Sequence, residues 1–172
     1  MNKLREILLN TCTQLNEHNV EYMIIGGTAV AFHGFSRPSM GMGGAIIDKY
    51  DIDIWYNPVI TNYYNLLKAI KTTGKDVDSL FDEVADPKKS FLKFDYGEYN
   101  VDYNPTILGF DSFYPVYKRV KIVGIENIEI PIISYEDLIH SKESLNRNTK
   151  NDLDRKDIEE LKKKNKGNRD SD

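Results

Sequence analysis

The chain has 172 residues, a net charge of −4 and 40% hydrophobic residues, enough for one domain with an ordinary core. Mild acidity argues against a dedicated nucleic-acid binder, which carries a net basic face, and leaves room for no more than a local basic patch. No apolar run approaches the roughly eighteen residues of a membrane span and no h-region opens the sequence, so no membrane partner is expected and the cytoplasm is the expected location.

Leu4, Leu8, Thr11, Cys12 and Leu15 recur at helical spacing and predict an amphipathic helix ending near His18. Cys12 is the single cysteine; it falls on the apolar stripe, reads as a buried thiol and suits a reducing compartment. A short strand, "EYMII", is closed by Gly26 and Gly27, and "TAVAFHG" then reads as a helix of about two turns with Gly34 as its stop. From Ser36 to about Lys49 the chain is rich in Gly, Pro and Ser, the composition of a mobile loop. "DIDIWY" is a second strand. The next helix has Pro58 at its start, Ile60, Tyr64, Leu67 and Ile70 on one stripe, and Gly74 beyond its end.

"KDVDSLFDEVADPKK" reads as a solvated, acidic turn–helix surface. "SFLKFDYG" and "EYNVDYN" predict two strands joined by a tight turn around Gly97, and "FDSFYPVYKR" admits a short helix. "VKIVG" and "IEIPII" look like a hairpin. Ser134 to Asp137, "SYED", has the capping-box form and should open a helix to about Leu145; a last helix holds Leu153, Ile158 and Leu161. The expected organisation is one domain over 1–161 and a charged, disordered tail over 162–172. The element order predicts an α/β (α+β) fold: a small mixed β-sheet flanked by helices, with helices at the C-terminal end.

Alternation along a strand turns Asp51, Asp53 and Trp55 to one face and Ile52, Ile54 and Tyr56 to the other. Two carboxylates on one face repel unless a cation lies between them, and a hard, oxygen-ligated ion such as Mg2+ suits them. An isolated Asp-x-Asp also fits a half-buried strand with its acids in water. Asp102 stands between Val101 and Tyr103 and faces away from both. If its strand lies beside "DIDIW", three carboxylates converge, enough to hold metal or to hold metal and leave a base. A strand that ends in Gly-Gly-Thr and turns into a helix presents backbone N–H groups to a phosphate, although a tight turn explains a lone Gly-Gly equally well. Phosphate cradle, basic residue (Arg37), paired acids and a later third acid together describe metal-assisted phosphoryl or nucleotidyl transfer. His33 and His140 lack a ligand-spaced partner, which argues against zinc.

These residues resemble the nucleotidyltransferase superfamily related to polymerase beta, and more closely its small prokaryotic branch of minimal nucleotidyltransferases and abortive-infection-type nucleotidyltransferase toxins. The motifs that carry the resemblance are "IIGGTAVAFHG", Arg37, "DIDIW" and "NVDYN", with the ending "ISYEDLIHSK…DRKDIEEL" similar to the family's C-terminal helices. The resemblance implies transfer of a nucleoside monophosphate from a triphosphate to a hydroxyl, with ATP among the candidate donors and Mg2+ or Mn2+ as cofactor. It places Gly26, Gly27 and Thr28 on the triphosphate, and Asp51 and Asp53 on the metal. Asp102 completes the metal site or serves as base, while Arg37 and Lys142 reach phosphates and Asp157 orients a basic partner. Acceptors in such a family include tRNA, protein and small molecules, and a toxin–antitoxin or phage-defence role implies a cognate partner protein. The interval from Pro38 to Tyr50 is longer than the family's usual spacing between its Arg and first Asp.

Overall fold

The structure, a computed structural model, describes residues 3–34, 50–83, 85–149 and 152–169. Arg37 and the glycine-rich interval up to Lys49 lie outside the described residues. Helix α1 (Lys3–Glu17) buries Leu8, Leu9, Thr11, Cys12 and Leu15, the predicted stripe with Leu9 added and Leu4 only half-buried. Burial pushes the Cys12 thiol up to about 12, which keeps it a thiol at neutral pH. Asn19, with φ of 53°, turns the chain into strand β1 (Tyr22–Ile24), and helix α2 (Gly26–Phe32) follows at once. α2 thus starts two residues earlier than the sequence pattern suggests, with both glycines inside its first turn.

Strand β2 (Tyr50–Tyr56) leads into helix α3 (Ile60–Thr72) and the short helix α4 (Asp78–Asp82). Strands β3 (Leu92–Asp95) and β4 (Tyr99–Asn104) form the hairpin around Gly97, whose φ of 84° the turn requires. Helix α5 (Phe113–Tyr117) precedes the hairpin of β5 (Lys121–Ile125) and β6 (Ile128–Ile132). Glu126 and Asn127 both take positive φ in its two-residue turn, the geometry that matches strand twist.

The C-terminal pair is α6 (Tyr135–Thr149) and α7 (Asp152–Arg169). Ser134 caps α6, its Oγ accepting from the Asp137 N–H at 3.1 Å. α7 continues past Leu161 to Arg169, through a segment that composition assigns to a frayed tail. Lys is a good helix former, and Lys162 pairs with Glu143 at 2.7 Å and Lys163 with Glu160 at 2.8 Å, which carries the helix on.

The six strands form one mixed sheet in the order β3-β4-β2-β1-β6-β5. β1–β6 and β2–β4 are parallel; β1–β2, β3–β4 and β5–β6 are antiparallel. Alternation along β2 defines two helical layers. Tyr56 meets Tyr63 of α3 on one face, and α1 packs against α3 there. Trp55 meets Phe110 and Phe113 on the other, where α2 covers β2 and touches α6. The buried amide of Asn62 joins layer to sheet: it accepts from the Glu21 N–H at 2.8 Å and donates to the Glu21 and Asn57 carbonyls at 3.0 and 2.9 Å.

Candidate active site

The in-register pairing of β2 with β4 sets Asp53 opposite Asp102 and Asp51 opposite Asn100, on strands about 4.8 Å apart. On the outer side of β4, β3 sets Lys93 opposite Asp102. A row of three charged residues, Lys93, Asp102 and Asp53, therefore crosses three strands on one face of the sheet, with Asp51 beside it. The Lys93 Nζ lies 3.0 Å from Asp102 Oδ2 and 3.5 Å from Asp51 Oδ1, and the Asn100 amide donates to Asp51 Oδ1 at 2.8 Å.

Gly26 closes the other end of the row. Its φ is 62°, and a Cβ there would lie 2.3 Å from Asp53 Oδ2 and 2.9 Å from Asp53 Cγ. The Ile25 N–H donates to the Asp53 carbonyl at 3.0 Å, which pins the start of α2 to β2. Gly27 faces open space, and no side chain caps the helix start at Ile25. The Thr28 hydroxyl turns back toward the Asp51 carbonyl at 3.5 Å.

Electrostatics follow from this crowding. Burial first, then the neighbouring Asp102 and Asp51 charges, push the Asp53 carboxyl up to about 6, against the pull of Lys142 and Lys93. Asp102 is raised chiefly by burial and is pulled back by its hydrogen bond from Lys93. Its Oδ1 is buried with no hydrogen-bond partner among the described residues.

Lys142, on α6, is itself buried, with its Nζ 3.0 Å from Asp154 Oδ1 and 2.8 Å from Asp157 Oδ2. Its charge still lowers the Asp53 carboxyl, although with Asp154 and Asp157 both on its ammonium the cluster brings no net positive charge to the acids. The histidines serve elsewhere: His33 Nε2 meets the Ile133 carbonyl and His140 Nε2 the Gly109 carbonyl, both at 2.8 Å.

Among the described residues no three His, Cys, Asp or Glu side chains already stand in metal-ligand geometry. The donor set nevertheless fits a hard divalent cation: three carboxylates share one face, one buried Asp102 oxygen lacks a partner, and a cation, Lys93, already lies between two of them. The sequence pattern singles out Asp51, Asp53, Asp102 and Gly26, and the structure brings these together. It leaves Lys93, Asn100 and Asp154 unmarked. Lys93 could have been found by folding the predicted hairpin about Gly97, which pairs Lys93 with Asp102.

No family model and no curated protein matches the sequence. Among solved structures, the chain is similar to the antibiotic-resistance factor ANT(2'')-Ia, with a TM-score of 0.58 and 15% identity over 94% of this chain and 83% of that one. It is also similar to the lincomycin-bound lincosamide antibiotic adenylyltransferase LnuA (TM-score 0.49, 19% identity, 94% of this chain and 96% of that one). An antigenic nucleotidyltransferase-like protein from Paracoccidioides brasiliensis gives a TM-score of 0.48 at 13% identity, over 90% of this chain and 73% of that one. At these identities the likeness is one of fold. The chain has a nucleotidyltransferase fold.

Proposed function

We propose that the chain is a metal-dependent nucleotidyltransferase that moves a nucleoside monophosphate from a nucleoside triphosphate to a hydroxyl acceptor. The observation that carries this reading is the register that sets Asp53 beside Asp102 while Gly26, at the uncapped start of α2, packs on the Asp53 carboxylate. In the reaction the acceptor oxygen bonds to the α-phosphorus, the bond from that phosphorus to the bridging oxygen breaks, and pyrophosphate leaves with its electron pair. Asp51 and Asp53 hold Mg2+ or Mn2+. Asp102 either completes that set or takes the acceptor's proton, and its unpartnered Oδ1 suits both roles. The divalent ion, when bound, neutralises charge on the triphosphate.

Gly26, Gly27 and Thr28 receive the triphosphate, the open space at Gly27 leaving its backbone approachable. Lys142 is engaged by Asp154 and Asp157 and ties α6 to α7 rather than reaching the triphosphate, so Arg37, outside the described residues, is the remaining phosphate ligand. The acceptor is an RNA, a protein or a small molecule. The antibiotic-resistance factor that shares the fold makes a small-molecule acceptor a concrete candidate, while the toxin-like sequence motifs favour RNA or protein and a cognate antitoxin.

The test is incubation with Mg2+ and each of the four α-labelled nucleoside triphosphates, with total tRNA, lysate protein and an aminoglycoside as separate acceptors. Label should transfer with wild type and fall below about 1% of that with Asp51→Asn plus Asp53→Asn, as expected when the charge-stabilising set of a transition state is removed. Equal transfer by the double variant sinks the reading. One observation favours a second reading, a binding module without turnover: the Lys93 ammonium already bridges Asp51 and Asp102. Nucleotide bound without transfer to any acceptor would select it.

A further inference from the structure

Neither the acid pattern nor the start of α2 calls for Lys93, yet strand register fixes its position in the row. The register of β3 on β4 sets it opposite Asp102, and its Nζ reaches both Asp102 and Asp51. Three carboxylates on one face repel, and the ammonium relieves that repulsion in the metal-free protein. The members of the contact differ in freedom. The side chains of Lys93 and Asp51 are 46% and 48% exposed, whereas that of Asp102 is 14% exposed. The lysine can swing to water at little cost, while the Asp102 carboxylate cannot follow it.

We propose that Lys93 is a built-in counter-ion: it holds the place of a divalent cation between Asp51 and Asp102 and keeps the nucleotide-free site weak for metal. The proposal rests on the metal-dependent reading above. A divalent ion entering alone must displace the ammonium, and the work of parting the two ion pairs subtracts from its binding. A metal that arrives with a triphosphate brings a polyanion to which the displaced ammonium can turn, and that work is offset. The metal therefore loads together with nucleotide, and Lys93 is a positioning residue that sets the order.

The experiment titrates Mn2+ alone into nucleotide-free wild type, Lys93→Met and Lys93→Arg at low salt, following free Mn2+ by its paramagnetic resonance signal. Lys93→Met keeps most of the stem and loses the charge, and it should bind Mn2+ roughly tenfold more tightly. Lys93→Arg, which keeps the charge, should stay within about twofold of wild type. With a nucleoside triphosphate present, the gap between wild type and Lys93→Met should narrow. Circular dichroism confirms folding, and Lys93→Gln repeats the comparison should Lys93→Met fail to fold. Equal or weaker Mn2+ binding by the neutral variants overturns the proposal. If wild type binds Mn2+ and Asp51→Asn plus Asp53→Asn does not, that result leaves the metal-dependent reading standing; no Mn2+ binding by any of these proteins overturns both.

Discussion

Gly26 takes a φ of 62° at the junction of β1 and α2, and the space its missing side chain leaves is filled by the Asp53 carboxylate. Two separate demands thus fall on one residue: a left-handed backbone, which costs an L side chain about 1–3 kcal/mol, and contact with a carboxylate that leaves no room for a methyl group. Gly27, one residue on, lies within α2 without a positive φ and faces open space. Gly26→Ala should therefore lower stability by about 1–3 kcal/mol, while Gly27→Ala should leave it unchanged or raise it by up to about 1 kcal/mol. Urea denaturation of the two variants checks this, and equal losses would contradict the packing of Gly26 on Asp53. The pair also separates fold from ligand, since a nucleotide-affinity loss in Gly27→Ala would have no source in stability.

Among the elements, α3 is tied to the sheet through Asn62, which is 4% exposed and satisfies polar groups at the entry to β1 and the exit from β2. Asn62→Ala should cost about 2–3 kcal/mol, because it strands the Glu21 N–H and the buried Asn57 carbonyl as well as leaving a void, while the Glu21 carbonyl keeps the Asn57 N–H. Its denaturation midpoint in urea measures that loss; a change below about 0.5 kcal/mol would show that water replaces the amide. The apolar spacing of α3 makes the helix readable, yet nothing in that spacing marks Asn62, whose partner Glu21 lies 41 residues away in sequence.

The site shows the same boundary. Alternation within "DIDIW" and "NVDYN" makes the facing of Asp51, Asp53 and Asp102 legible, since facing is a local property of a strand. Which strand lies beside which is not local. The pairing of Asp51 with Asn100 and the closing of Lys142 onto Asp154 and Asp157 depend on sheet order and helix packing, and no motif records them. The start of α2 differs from the sequence pattern for a related reason: glycine is a poor helix former, and the bond from the Ile25 N–H to the Asp53 carbonyl, a contact between distant segments, anchors the first turn to β2.

At the scale of the whole molecule, the acids of the site weaken the fold that carries them. Asp53 is raised from an ordinary 3.8 to about 6 in the native state, so between those values the folded chain holds a proton that the unfolded chain releases. Stability from this group accordingly falls as pH rises through that window, and above about 6 the full penalty of the buried charge is present. In the presence of a chelator, Asp53→Asn should melt a few degrees above wild type at pH 7.5 and converge with it below pH 4. Thermal melts across pH decide it; a variant less stable than wild type at pH 7.5 would mean that the Asp53 charge is favourable where it stands.

The order of strands carries a last consequence. The β3–β4 hairpin sits at the end of the sheet and joins its other strands through β2 alone. Asp102 and Lys93 belong to the hairpin, while Asp51 and Asp53 belong to the body, so the site straddles a seam. Six in-register pairs and the buried side chains of Ile52, Ile54, Val101 and Tyr103 hold that seam, so the geometry of the site is only as firm as the pairing of β2 with β4. If the site takes a divalent cation as proposed, acids from both sides of that seam would grip one ion, and its binding would add to the pairing that holds the hairpin on the sheet.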